Sequence, residues 1–184
     1  FYVYCGPFLW AQKQDIIFRT DTNKEMPVEK VTSETYLEVK YKKGSKELRL
    51  TTDKVGSISY YDAPEAWNNG LKFKEDGEFE NAVNSFKLAM DEKGVRDWIK
   101  TYALFEIAKV YQQWGLSNPD KFHEAVKTYH ELLALAPECR FYAEVLFNNA
   151  KSLAASKDMA GAMKAFDQIA QEAYDKKLGV IWEA

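Results

Sequence analysis

The pattern of hydrophobic and polar residues changes its period once along the chain, close to residue 62. Before this point, short apolar runs alternate with a period of two, which is typical of β-strands. After it, apolar residues recur every three or four positions, which is typical of amphipathic helices. Pro64 lies at the change, where a proline suits the start of a helix. We therefore predict an α+β protein, with a small N-terminal antiparallel β module over residues 13–62 and helices over residues 63–175.

The predicted β module consists of four or five short strands joined by turns. The strands are expected at residues 15–20, 26–31, 36–41, 47–51 and 55–61. In the clearest of them, Leu37, Val39 and Tyr41 share one face, and Gly44 supplies the turn to the next strand. Pro27 restricts its strand to a sheet edge, or itself to the entry position of the strand. This pattern suits a small meander or an SH3-like barrel, and it resembles the module that precedes helical repeats in some bacterial exported proteins.

The predicted hairpin carries an excess of positive charge. Its basic residues are Lys40, Lys42, Lys43, Lys46, Arg49 and Lys54, against Glu47 and Asp53. One interpretation is that the lysines protect exposed strand edges from aggregation. The other is that the protein is a regulatory adaptor, which uses this hairpin to bind an anionic ligand such as nucleic acid or lipid headgroups. We favour the first, because aromatic residues are not interleaved with the basic ones as on an RNA-binding surface.

The helical part contains an internal repeat. Three segments align on the alanines Ala82, Ala125 and Ala162. An aromatic residue follows each alanine four positions later, at Phe86, Tyr129 and Phe166. An apolar residue follows each aromatic three positions later, at Ala89, Leu132 and Ile169. A small residue recurs upstream, at Gly70, Ala108 and Ala150. Small residues let two antiparallel helices approach closely, and the aromatic rings then fill the gaps between neighbouring pairs.

This combination of small and aromatic positions resembles the tetratricopeptide repeat (TPR). The resemblance implies an α–α superhelical array of three helix pairs, with a concave face formed by the first helix of each pair. Such an array acts as a protein–protein interaction scaffold or an assembly subunit. The match is not perfect, since the second pair carries an insertion at Leu116 to Asp120, and the first pair ends in Gly94 instead of proline.

The resemblance also implies which side chains line the concave face. They are Trp67, Leu71 and Lys74 in the first pair, Phe105, Lys109 and Gln112 in the second, and Phe147, Lys151 and Ala154 in the third. An aromatic thus precedes each small residue by three positions, with a lysine nearby. We predict a groove that accepts a peptide, an amphipathic helix or a partner subunit, with the lysines contacting its carboxylates. The alternative is that these rings are core residues, covered by residues 1–11 or by a further helix.

A different mode of TPR binding, the clamp that holds the C-terminal carboxylate of a chaperone, is not expected here. Trp67 and Leu71 occupy positions where that clamp has polar groups.

Both ends of the chain are apolar. Residues 1–12 are too short to span a bilayer, which needs about 20 apolar residues, but they resemble the end of a secretory signal. They would otherwise form an arm that packs on the domain, a membrane or a partner. In the tail at 176–184, Ile181 and Trp182 would begin another helix or a docking segment. We therefore expect a periplasmic, exported or membrane-associated protein in a larger assembly, with a cytoplasmic protein as the alternative.

The composition offers little catalytic chemistry. A net charge of −3 argues against a dedicated nucleic-acid binder. His123 and His130 lie two helical turns apart without a third metal ligand, and no histidine is placed to activate Cys139. Glycine-rich phosphate loops and Cys-x-x-Cys motifs do not occur. We expect a protein that is not an enzyme and that uses neither a cofactor nor a metal.

Overall fold

The computed structural model describes residues 13–176 and has an α+β architecture, in which two small antiparallel sheets precede six packed helices. The predicted fold class is therefore confirmed. The apolar arm at residues 1–12 and the tail after Lys176 lie outside the described residues, so the expectations that concern them stay predictions. None of the described helices combines the length and the apolar character that crossing a membrane requires.

The β module contains six strands. They are β1 Asp15–Arg19, β2 Lys24–Val28, β3 Lys30–Glu34, β4 Glu38–Lys43, β5 Lys46–Thr51 and β6 Val55–Ser59. The sheets have the orders β2-β1-β6 and β3-β4-β5, so the module is not a simple meander. Gly44 has a φ of +63° in the β4–β5 turn, as the sequence predicted, and Pro27 lies in the edge strand β2.

The prediction of one strand over residues 26–31 is wrong. The chain leaves the first sheet after Val28 and enters the second at Lys30, so two strands form in different sheets. Val28 and Val31 are both buried in the same apolar core with Ile17 and Val39. The turn at Glu29 allows this, because a continuous strand would point residues three positions apart to opposite faces.

The helical part forms three antiparallel pairs. The helices are α1 Glu65–Glu75, α2 Phe79–Asp91, α3 Trp98–Gly115, α4 Lys121–Leu135, α5 Tyr142–Ala155 and α6 Met159–Lys176. The second helix of each pair packs against its own partner and, in the first two pairs, against the first helix of the next pair. This order is that of a helical repeat.

The small residues of the repeat lie where the helices come closest. Ala82 and Ala125 are fully buried, and Ala162 is buried in the third pair. At Gly70, an added Cβ would lie only 2.6 Å from the ring of Phe86. The predicted role of these positions in helix packing is therefore confirmed, and the ring of α2 occupies the space that the glycine of α1 leaves.

We predict that Gly70→Ala lowers the free energy of unfolding by about 1–2 kcal/mol. The added methyl group overpacks the contact with Phe86, and this cost exceeds the gain of about 1 kcal/mol that alanine brings to a helix. Urea denaturation measures the change, with Asn69→Ala, an exposed neighbour in α1, as the control. A Gly70→Ala protein as stable as the wild type would contradict the close approach of α1 and α2.

Candidate interaction surfaces

A buried ion-pair cluster joins the β module to the helical array. Arg96, in the loop before α3, donates hydrogen bonds to Asp15 of β1 at 2.7 and 2.8 Å. It also donates to Asp62 at 2.6 and 2.7 Å. Asp15 is fully buried and accepts a further bond of 2.7 Å from the backbone N–H of Val31. One guanidinium thus connects three separate segments of the chain.

The charges of this cluster stabilise one another. Burial alone would raise the pKa of Asp62, but the hydrogen bonds from Arg96 and from the indole of Trp98 hold that pKa below its ordinary value. Burial would lower the pKa of Arg96, whereas the two carboxylates raise it. The arginine therefore stays charged, and its loss would leave Asp15 buried without its counter-ion.

A second polar cluster lies beside the first. Glu34 at the end of β3 accepts hydrogen bonds from the hydroxyls of Tyr60 and Tyr102 and, at 3.1 Å, from Nε of Arg140. Arg140 also donates to the carbonyl oxygen of Val55 at 3.2 Å. Burial raises the pKa of Glu34, although Arg140 and Tyr102 act in the opposite direction. Each of these polar groups contacts another from the same set.

Aromatic rings fill the space around the two clusters. Tyr60 of the β module stacks on Trp98 of α3 with ring centroids 4.1 Å apart, and Tyr102 meets both edge-on. Trp67 of α1 lies edge-on to Trp98 at 5.6 Å. A cleft of about 810 Å³ opens here between β3 and the loops before α3 and α5. Since the two arginines in its walls, Arg96 and Arg140, are paired with carboxylates of the same chain, we interpret the region as an internal interface that holds the β module in place.

The predicted concave residues of the first two pairs are largely engaged within the protein. Trp67 belongs to the aromatic cluster, and Leu71 is half-buried against α2. Lys74 of α1 pairs with Glu106 of α3 at 2.6 Å.

In the second pair, Phe105 is buried and stacks on Phe141, with the ring centroids 4.1 Å apart. Lys109 lies over the Phe105 ring and pairs with Glu144 of α5 at 3.4 Å. Gln112 donates to the Asn148 carbonyl oxygen and to Ser152 Oγ, and it accepts from the hydroxyl of Tyr129. The chain itself therefore covers the Phe105 ring, and partner binding at the predicted groove residues stays a prediction.

The third pair differs from the other two. Phe147 of α5 is 41% exposed, and Lys151 lies over its ring at 5.4 Å. On α6, Met159, Met163 and Phe166 are 63%, 70% and 40% exposed. We call these four apolar residues the open face: Phe147, Met159, Met163 and Phe166. That they bind a partner, as predicted for Phe147 and Lys151, stays a prediction.

Comparison of equivalent positions explains why the open face is exposed. The rings equivalent to Phe166 are Phe86 and Tyr129, and both are fully buried. Besides contacts within their own pair, both rings lie in cores shared with the following helix, with Ala103 of α3 for Phe86 and Val145 of α5 for Tyr129. Among the described residues, α6 has no following helix. The open face is therefore the repeat's own packing surface without a covering helix.

The remaining candidate groups have ordinary surroundings. On the basic hairpin, Lys40 and Arg49 lie 3.2 and 3.5 Å from Glu38. Cys139 is buried, and burial raises the pKa of its thiol to about 11, so the reactive thiolate is disfavoured at neutral pH. Within residues 13–176, no group of three or more His, Cys, Asp and Glu side chains could hold a metal ion.

Sequence reasoning missed the clusters around Arg96 and Arg140. Arg96 lies 81 positions from Asp15, and Arg140 lies 106 positions from Glu34, so no local spacing links the partners. The sequence contained one indirect sign of a buried charge, because Asp15 begins a strand whose next three residues are apolar.

The chain was compared with protein-family models, curated proteins and solved structures, and nothing among them matches it. The assignment of function therefore depends on the geometry alone.

We predict that Arg96→Ala lowers the free energy of unfolding by about 3–5 kcal/mol, because it leaves the Asp15 carboxylate buried without a counter-ion. Urea denaturation measures this loss. Arg49→Ala is the matched control, since that side chain is 78% exposed and its ion pair is a surface pair. Equal, small effects of the two substitutions would show that the Arg96 cluster does not hold the β module.

Proposed function

We propose that this chain is a TPR-like helical-repeat protein that acts as an interaction scaffold or an assembly subunit. Three helix pairs with the same spacing of small and aromatic residues support the repeat. The buried positions of Ala82, Ala125 and Ala162 support it further, because the family pattern requires small residues between the helices. Helical arrays of this kind present extended surfaces to protein partners.

The observation that carries the proposal is the open face of the third pair. Contiguous exposed apolar surface is costly in water and marks interaction sites in soluble proteins. Phe147 and Phe166 lie side by side, with ring centroids 6.1 Å apart and the rings edge-on. Two methionines extend this surface along α6, and their flexible side chains adapt to the shape of a partner. A few buried rings would supply most of the binding energy.

The basic hairpin has less support as a site for nucleic acid or lipid headgroups. Glu38 lies between Lys40 and Arg49, and Glu47 is directly opposite Lys42 in the β4–β5 register. The hairpin's positive charge is thus partly neutralised by its own strands. β5 lies at a sheet edge and carries Lys46 and Arg49, which fits the interpretation that basic residues discourage edge-to-edge pairing.

We predict that Met163→Glu abolishes partner capture while the protein stays folded. The new carboxylate would have to be buried in the apolar contact, whereas in the free protein it remains in water. The full chain is tagged in its native cells, and co-purifying proteins are quantified by mass spectrometry, with circular dichroism as the folding check. Leu116→Glu is the control, because Leu116 is 84% exposed but lies outside the third pair.

A partner that is lost with Met163→Glu and kept with Leu116→Glu supports the proposal. A partner that survives both substitutions, but is released between about 50 and 200 mM salt, would instead indicate electrostatic binding through the basic hairpin.

A further inference from the structure

The junction between the second and third pairs shows how the next helix docks on the array. Phe141 immediately precedes α5, and its ring covers Phe105 at 4.1 Å with the two ring planes 5° apart. Three positions later, Glu144 in the first turn of α5 pairs with Lys109 at 3.4 Å. The incoming helix therefore presents an aromatic and, three residues on, a carboxylate.

The first junction has an aromatic contact of a different geometry and lacks the charge. Trp98 at the start of α3 meets Trp67 edge-on at 5.6 Å. In the repeat alignment, the position equivalent to Lys109 is Leu71, and the position equivalent to Glu144 is Tyr102. The acidic residue is thus present at the junction where the array offers a lysine and absent where it offers a leucine.

The third pair repeats the arrangement of the second. Phe147 and Lys151 stand in the same relation to Ala150 as Phe105 and Lys109 do to Ala108. Lys151 Nζ lies 5.4 Å from the Phe147 ring, and Lys109 Nζ lies 4.8 Å from the Phe105 ring. In the third pair, however, the phenylalanine is exposed.

We infer that the open face binds an amphipathic helix of a partner protein, in which an aromatic residue immediately precedes the helix and Glu or Asp follows it three positions later, in the first turn. This inference rests on the proposed function and specifies the chemistry of its partner. The aromatic ring covers Phe147, the carboxylate pairs with Lys151, and the apolar side of the helix packs on Phe166 and Met163.

The two contacts have different roles. An ion pair at a partly exposed site changes affinity by about fivefold at most, so it selects the register and the sign of the partner's charge. The stacked ring is desolvated on binding and contributes more, because anchors of this kind dominate interface energies.

The probe is a fluorescently labelled peptide with the sequence of residues 140–155, which is the segment that docks on the second pair. A staple between its positions 151 and 155, both exposed in α5, maintains the helix, which is otherwise marginal at this length. Binding to the full chain is measured by fluorescence anisotropy. We expect saturable binding that Phe147→Ala in the protein weakens by about tenfold or more.

Exchanging the charges of the two residues tests whether Lys151 of the protein pairs with the carboxylate of the helix. Lys151→Glu in the protein should lower its affinity for the unmodified peptide by about fivefold. A peptide with Glu144→Lys should recover that loss of affinity. Lys157→Glu, an exposed lysine in the loop of the same pair, is the control for net charge and should leave both affinities unchanged.

Besides a charge exchange without recovery, three outcomes would overturn the inference. The first is that the peptide does not bind to the full chain. The second is that it binds only after truncation beyond Lys176, which would assign the face to the chain's own tail. The third is that the protein forms a dimer that Phe147→Ala dissociates, which would assign the face to a second copy of the chain. If the charge exchange does not recover peptide affinity but Met163→Glu still removes the cellular partner, the inferred aromatic–acidic helix is wrong and the scaffold function stands. If the charge exchange does not recover affinity and Met163→Glu does not remove the partner, both the inferred helix and the scaffold function are wrong.

Discussion

The close approach of neighbouring helices at residues without bulky side chains determines most of this structure. Gly70 of α1 has no side chain beyond a hydrogen, and the ring of Phe86 packs in the space this leaves. Ala82 and Ala125 are fully buried. The ring of Phe86 packs on α1 of its own pair and also lies in a core with Ala103 and Ile107 of α3, so its burial involves the next pair. The array is therefore built so that each pair depends on the one that follows it.

The two ends of the array consequently differ. At the first pair, Trp67 packs against a core that includes residues of the β module, and the module is held there by Arg96 between Asp15 and Asp62. Buried ion pairs of this geometry favour one arrangement strongly, since any other leaves a charge without a partner. At the third pair, the repeat's packing surface is exposed along α6 within the described residues. This asymmetry directs the proposed interaction to one end of the molecule.

Sequence periodicity predicted the helix pairs and their small residues, because those features depend on local spacing. It did not predict that the chain would turn at Glu29 and divide one strand between two sheets. It left open whether Phe105 lines a groove or belongs to the core, and the ring of Phe141, from the loop before α5, covers it. The ion pairs of Arg96 and Arg140 were inaccessible to such reasoning, because their partners lie far away in the sequence. What sequence patterns miss here are contacts that loops and distant segments make once the elements have packed.

Hydrogen–deuterium exchange of the chain, alone and in the complex purified from its native cells, tests most directly whether the open end of the array is the binding surface. The account predicts slower exchange in α5 and α6 on binding, with β4 and β5 unchanged. Protection confined to β4 and β5, with α5 and α6 exchanging as in the free chain, would contradict it.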